Sequence, residues 1–421
     1  MLLVPINKKN IGIEAIAFDI PQHYIQMTDL AEARGIDPMK YVLGLGQSEM
    51  AVSSPCEDSV VLAIEAAKQA IDNFGIDASS IGLVVVGTET PIDHSKPVAS
   101  YVHEFLELSQ ECRVVEMKHA CYGAMAGVSM ATDWILSGRN KQKKALVIAT
   151  DIAYYGVNTP GEPTQGAGAV AMVISEQPRL VEFEIEFQGY YAKQVMDFWR
   201  PLYKKEAIAD GHYSIDCYLN ALGDSYQMYK NQYFEKNDKI DNNFNKIFSA
   251  SLYHVPFVKM AQKAHIMLLG QDWGMQPARD SEEFQTAKND YQLRVAPYLK
   301  LNARIGNIYT GSLFLSLYNF LADASESMTG KSISLFGYGS GCSAEFISAK
   351  ILKFDKRLLD YKDRLKKRRK LDIVSYENLQ ELWKNTGNKD GVFNDEWELD
   401  RQFIYLGSED HKRQYQNKFK A

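Results

Sequence analysis

Residues 114–138 read VVEMKHACYGAMAGVSMATDWILSG, and the fold turns on how this stretch is parsed. Val114, Val115 and Met117 open it as a short apolar run of the kind that makes a buried strand. After Cys121 the chain is apolar around its circumference. Met125, Val128, Met130, Ala131, Trp134, Ile135 and Leu136 cover every face of a helix, with Ser129, Thr132 and Asp133 as the polar exceptions. A helix without a polar face has to lie inside the protein, and Gly138 is the natural residue to end it. Cys121 then sits where a strand becomes the N-terminus of a buried helix, where unpaired N–H groups and the helix dipole favour a thiolate nucleophile. The stretch equally fits a cysteine that is simply a small core residue.

Working outward from it, buried elements repeat. Residues 11–18 read as a first strand, and 27–44 as a helix broken near Gly35 and resumed after Asp37-Pro38. Residues 58–74 carry apolar side chains at three- and four-residue steps, the helical period. IGLVVVGTE (81–89) is a continuous β-branched run, so a strand covered on both faces, ending in the polar pair Thr88-Glu89. A helix is expected over 98–108, a buried strand ending on an acid over 144–151, and a small-residue strand over 167–175 after the Pro/Gly-rich loop 156–166. From Pro178 the character changes, with charged strands near 180–188 and a polar, helical region to 245. The buried pattern then returns: a strand-like run at 248–257 carrying His254, an apolar helix entered through a loop at 304–322, and strand, Gly-rich turn, strand at 333–351. After Lys353 the charged tail reads as a surface extension. The halves 1–176 and 177–421 follow one plan, which points to an internal duplication.

With 421 residues, 46% of them hydrophobic and 24% charged, the chain suits two domains or one large α/β unit. A net charge of −6 argues against a nucleic-acid partner. Five cysteines scattered without C-x-x-C spacing fit a reducing cytoplasm better than a disulfide framework or a metal site. The N-terminus has too short an apolar run for a signal peptide, and no stretch approaches the roughly 20 apolar residues of a membrane span. A soluble cytoplasmic protein is expected.

Glu89, Cys121 and His254 each stand at the end of an apolar run. Together they would suffice for acyl transfer followed by proton abstraction beside a thioester carbonyl, with a thiol nucleophile, a carboxylate base and a histidine acid. Each also has a plain reading, as turn residue, core thiol or structural histidine. His119 is a candidate modulator and His265 a competing histidine. Gly339-Ser340-Gly341 and Gly306-Asn307 can aim backbone or amide donors at a carbonyl oxygen, though ordinary turns use the same residues. The basic run LKKRRK (365–370) reads as a solvated face or a landing site for a phosphate or acidic partner.

On these residues the chain resembles the hydroxymethylglutaryl-CoA synthases of the thiolase superfamily, over nearly its whole length. The matching segments are GQSEMAVS (46–53), GTE (87–89), EMKHACYGA (116–124), VIATD (147–151), GEPTQGAGAVAMVI (161–174), MDFWRP (196–201), HVPFVKM (254–260), GNIYTGS (306–312) and GYGSG (337–341). The resemblance implies an α/β fold with a thiolase-like duplicated αβαβα layered core, and a homodimer. It implies that Cys121 takes the acetyl group of acetyl-CoA, that Glu89 deprotonates the acetyl methyl, and that His254 polarises or protonates the ketone of acetoacetyl-CoA. It places Asn307, Ser340, Thr164 and Tyr338 against substrate, Asp151 and Asp197 behind them, and Lys259 and Lys263 on coenzyme A. No metal or cofactor is implied, since the coenzyme A thioesters are substrates. SSPCEDSV (53–60), YVHEFLELSQECR (101–113) and GSGCSAEF (339–346) are similar instead to polyketide β-branching synthases, which use acyl carrier protein. The expectations are therefore condensation in the mevalonate route, the same chemistry on carrier-bound acyl groups, or a non-catalytic thiolase-fold protein that binds an acyl-CoA or a partner. The intact Glu89, Cys121 and His254 argue against the last.

Overall fold

The computed structural model describes residues 10–237, 244–385, 391–392 and 399–420; the N-terminal segment read for a targeting signal lies largely outside the described residues. The apolar runs form the strands of one mixed sheet. They are β1 (Gly12–Asp19), β2 (Ile81–Gly87), β3 (Arg113–Met117), β4 (Lys144–Ile152), β5 (Ala167–Ser175), β6 (Val181–Phe183), β7 (Ala250–Tyr253), β8 (Ser332–Gly339) and β9 (Ser343–Ile351). Across the sheet the order is β7-β8-β9-β6-β1-β5-β4-β2-β3, with Gly189–Ala192 also pairing to β9.

The order contains the repeat. β2 and β4 are parallel, then β4–β5 and β5–β1 are antiparallel. β7 and β8 are parallel, then β8–β9 and β9–β6 are antiparallel. The two sets meet at β1–β6, where Gly12 faces Glu182 and Ile13 faces Val181.

Helix α1 (Ser59–Phe74) covers β1, β4 and β5. It is capped by Asp58, whose carboxylate accepts from Val61 N–H at 2.9 Å, and it ends on the left-handed Gly75. The central helix α2 (Gly123–Leu136) is packed from both sides. Gly127 lies against Val85 and Val147 of the first half-sheet, and Gly337 of β8 closes on Met125 from the second. Helices α3 (Gly211–Asn237) and α4 (Val258–Trp273) flank the second half. The second central helix, α5 (Ser312–Asp323), is buried from Ser312 to Leu321, with Tyr318 edge-on to Phe18 of β1 at 4.7 Å. No helix among the described residues is long and apolar enough to cross a membrane.

Three expectations change. Strand β3 is an edge strand, with Val114 37% and Val115 39% exposed, and Met130 of α2 is 56% exposed, so this apolar face is open rather than core. The charged tail is no loose extension over its described residues 399–420. It folds back as the hairpin β10 (Phe403–Glu409) and β11 (Lys412–Asn417), burying Phe403, Ile404 and Tyr405. Phe403 N–H donates to Glu65 of α1, and Arg413 and Tyr415 both bond Asp58. The basic run 365–370 is a solvated face at Lys366, Lys367, Arg369 and Lys370, as one reading of it expects, but it is not wholly so. Leu365 and Arg368 are buried, Arg368 with Glu49, while Lys366, Lys367 and Lys370 pair with Asp363, Asp400 and Asp29. Exposed pairs of this kind add little stability, but they reduce the positive charge that the run offers a phosphate or acidic partner.

Candidate active site

The site forms where the C-terminal ends of β2, β3, β7 and β8 converge on the start of α2. Ala120 takes a left-handed φ of 43° to turn the chain from β3 into Cys121. Two glycines let the neighbouring strands close on that turn. A Cβ at Gly87 would lie 2.3 Å from Ala124 N, and one at Gly339 would lie 2.5 Å from Tyr122 N. Any larger residue at either position would push the thiol out of place.

Glu89 follows β2, and its carboxylate Oε1 accepts from the Cys121 thiol at 2.9 Å. Asp151, at the end of β4, holds the segment behind it. It accepts from Glu89 N–H (2.7 Å), the Thr88 and Thr90 hydroxyls (3.0 Å each), and Thr310 N–H (3.0 Å) and hydroxyl (2.5 Å). Burial, with Asp151 as a neighbour, pushes Glu89 up to about 7, and burial pushes Asp151 up to about 6. Two buried carboxylates this close titrate as a pair. Burial and the Glu89 carboxylate raise the Cys121 thiol well above its ordinary range. The expected helix-stabilised thiolate is thus corrected: Cys121 is a thiol donating to Glu89, because desolvation and a neighbouring negative charge outweigh the dipole of a helix that begins two residues later.

Cys121 and His254 share a cavity of about 180 Å³, walled by Tyr155, Phe198, Tyr218 and Tyr309, with Thr164, Tyr338 and Ser340 also at its surface. His254 leaves β7 with its N–H on the Phe336 carbonyl (2.8 Å) and its own carbonyl on the Tyr218 hydroxyl (2.8 Å). Burial pushes its imidazole down to about 3, so it is neutral at working pH and would assist a ketone by donating an N–H, not as a charged acid. The expected consequence is that His254→Ala lowers kcat/KM by a similar factor, roughly 10²–10⁴-fold, at every pH from 6 to 9. A pH–rate profile whose acid limb moves in the variant would contradict a neutral His254.

The other expected residues divide. Asp197 is buried behind the cavity, accepting from the Tyr338 hydroxyl (2.7 Å) and Gly341 N–H (2.9 Å). Asn307 is buried too, its Oδ1 holding Tyr309 N–H (2.9 Å) and the Ser312 hydroxyl (3.0 Å), so it shapes the loop into α5. Lys259 and Lys263 stand one turn apart on the exposed side of α4, whose Met260 lines the cavity. His119 packs edge-on to Tyr122, outside the cavity lining. His265 is a satisfied core histidine between Tyr253 and Asp290. Arg200, within the DFWRP segment, is a site residue that sequence reasoning misses; its Nη1 donates to the Glu89 carbonyl at 2.6 Å. Tyr155 and Tyr309 were missed as well, since a loop tyrosine gives no periodic signal.

A duplicated, layered α/β core with a half-buried cysteine and a buried carboxylate and histidine at the junction of its halves defines a thiolase-like condensing-enzyme fold. Residues 7–178 match the family described as hydroxymethylglutaryl-coenzyme A synthase N terminal, and 181–286 and 278–418 match its C-terminal counterpart. The chain belongs to the hydroxymethylglutaryl-CoA synthase family. It is 35% identical over 370 residues to the hydroxymethylglutaryl-CoA synthase of Enterococcus faecalis, covering 87% of this chain and 90% of that one. A solved structure of MvaS in complex with 3-hydroxy-3-methylglutaryl coenzyme A superposes with a TM-score of 0.89 at 41% identity, covering 97% and 99%. The curacin biosynthetic pathway HMG synthase, solved in complex with apo donor-ACP, superposes at 0.86 with 30% identity, again over 97% and 99%.

Proposed function

We propose that this chain condenses acetyl-CoA with acetoacetyl-CoA to give 3-hydroxy-3-methylglutaryl-CoA and free CoA. The observation that carries the reading is the Cys121 thiol 2.9 Å from a Glu89 carboxylate poised near neutrality, in a cavity that Cys121 shares with a neutral His254. Cys121 sulfur attacks the acetyl thioester and the coenzyme A thiol leaves with the proton. Glu89 then removes a proton from the acetyl methyl. The resulting carbon attacks the ketone of the second substrate while His254 donates a hydrogen bond to its oxygen, and the proton that Glu89 removed passes to the new alkoxide. Water cleaves the thioester to Cys121, forming the product carboxylate and restoring the thiol. No metal or further cofactor enters this scheme.

Coenzyme A is favoured over acyl carrier protein as the substrate carrier. The MvaS structure is nearer in sequence than the carrier-protein-bound one, 41% against 30%. Lys259 and Lys263 offer exposed cations beside the cavity for phosphates, whereas the lysines of the 365–370 run each stand beside an acid. The product belongs to the mevalonate route, and a cytoplasmic location suits five free cysteines. The chain is a homodimer in this reading: β3 presents an open sheet edge with exposed Val114 and Val115, a surface that pairs well with a second copy.

The test is thiol release from acetyl-CoA by the purified chain, with acetoacetyl-CoA and acetoacetyl carrier protein offered in parallel. Turnover with free acetoacetyl-CoA is expected. Turnover with the carrier protein alone would move the chain to polyketide branching, and silence with both would sink the enzymatic reading.

A further inference from the structure

Arg200 follows the short strand Phe198–Trp199, which pairs with Ile208–Ala209 and carries the guanidinium in beside Glu89. One of its nitrogens, Nη1, is bonded to the Glu89 carbonyl. The other two, Nε and Nη2, are buried and meet no acceptor among the described residues. Buried cationic donors left unmet are costly, so water or a ligand has to meet these two nitrogens.

These two nitrogens form the side-on fork of arginine, which matches the two oxygens of a carboxylate. The chain itself shows the match. The same pair on Arg34 holds both oxygens of Glu162 at 2.9 Å each, and on Arg357 it holds Asp355. The nearby acids are otherwise engaged. Glu89 takes the Cys121 thiol, and Asp151 is filled by its threonine and backbone donors. Arg200 lies within electrostatic reach of both, and of Cys121, with its guanidinium 5.8 Å over the Tyr309 ring on the cavity wall.

We propose that the Nε–Nη2 fork of Arg200 is a carboxylate-binding element that receives the carboxylate created on hydrolysis of the Cys121 thioester. The inference rests on the reaction proposed above. In that step a water oxygen bonds to the thioester carbon and the carbon–sulfur bond breaks. One proton returns to the sulfur and the other leaves the new carboxylic acid through Glu89. The nascent carboxylate arises beside the Glu89 carboxylate, which repels it. Arg200 opposes that repulsion and draws the product away from the sulfur.

The experiment compares wild type with Arg200→Lys, which keeps the charge without the fork, and Arg200→Gln. Each is titrated calorimetrically with 3-hydroxy-3-methylglutaryl-CoA and with its analogue carrying a carboxamide in place of the carboxylate. Wild type is expected to prefer the carboxylate by roughly tenfold or more, and both variants to lose most of that preference. In single turnovers with labelled acetyl-CoA, hydrolysis of the covalent adduct should slow at least about tenfold more than acetylation of Cys121 does. An unchanged carboxylate preference in both variants, or equal slowing of the two steps, would overturn the proposal and leave Arg200 as a brace for Glu89. Wild-type protein that never acetylates would overturn the reaction, while the binding ratio still reads this contact on its own.

Discussion

Cys121→Ser abolishes acetyl transfer to the chain, by a factor on the order of 10⁴ or more. The serine hydroxyl keeps the volume and can still donate to Glu89, so the fold and the cavity are expected to persist and the melting temperature to stay close to wild type. What disappears is the nucleophile. In the wild type a half-buried thiol, raised by desolvation and by Glu89, still yields a usable thiolate when a base takes its proton. An alcohol starts several pH units higher and faces the same desolvation and the same negative neighbour. Mass spectrometry of the chain after incubation with acetyl-CoA reads the result. An acetyl group on the variant at wild-type level would remove Cys121 from the mechanism.

Much of the core was legible because buried strands and helices announce themselves locally. The β-branched run at 81–87, the small-residue strand 167–175 and the helix at 123–136 need no partner to be recognised, although the helix's open Met130 face is not visible in the pattern. Glu89, Cys121 and His254 were legible for a related reason: each follows the C-terminal end of a strand, and parallel strands gather such ends on one edge. What was illegible depended on partners far along the chain. Arg368 looks solvated until Glu49 is placed beside it, and the tail looks loose until Arg413 and Tyr415 meet Asp58, more than 350 residues away. The open face of β3 reads as core because an exposed Val114 has the same local pattern as a buried one. The protonation of Cys121 is not legible because it depends on burial, and then on a carboxylate 32 residues upstream, neither of which the local pattern shows. Arg200 lies within the MDFWRP match, but nothing local to it shows that its side chain reaches Glu89, 111 residues upstream.

Glu89→Gln separates the two halves of the reaction. Acetylation of Cys121 needs one thiol proton removed, and the substitution acts on it in opposing directions. The base is lost, but so is the negative charge that raises the thiol, so the thiolate becomes easier to form. Acetyl-enzyme is therefore expected to form within roughly tenfold of the wild-type rate. Condensation has no such offset. It requires a proton to leave carbon, and without the carboxylate it should fall by roughly 10²–10⁴-fold. The pH dependence supplies a second reading. Glu89 is raised to about 7, so it is protonated and inactive as a base below that and becomes available as pH rises through it. The condensation rate should climb accordingly, with an apparent midpoint shared between Glu89 and Asp151. In the glutamine variant the residual rate should lose that rise, because the titrating base is gone. Rapid-quench measurement of labelled acetyl-enzyme and of product, from pH 5.5 to 8.5, distinguishes these outcomes. Condensation near the wild-type rate would make Glu89 a turn residue, and a limb that persists unchanged in the variant would assign the titration to another group.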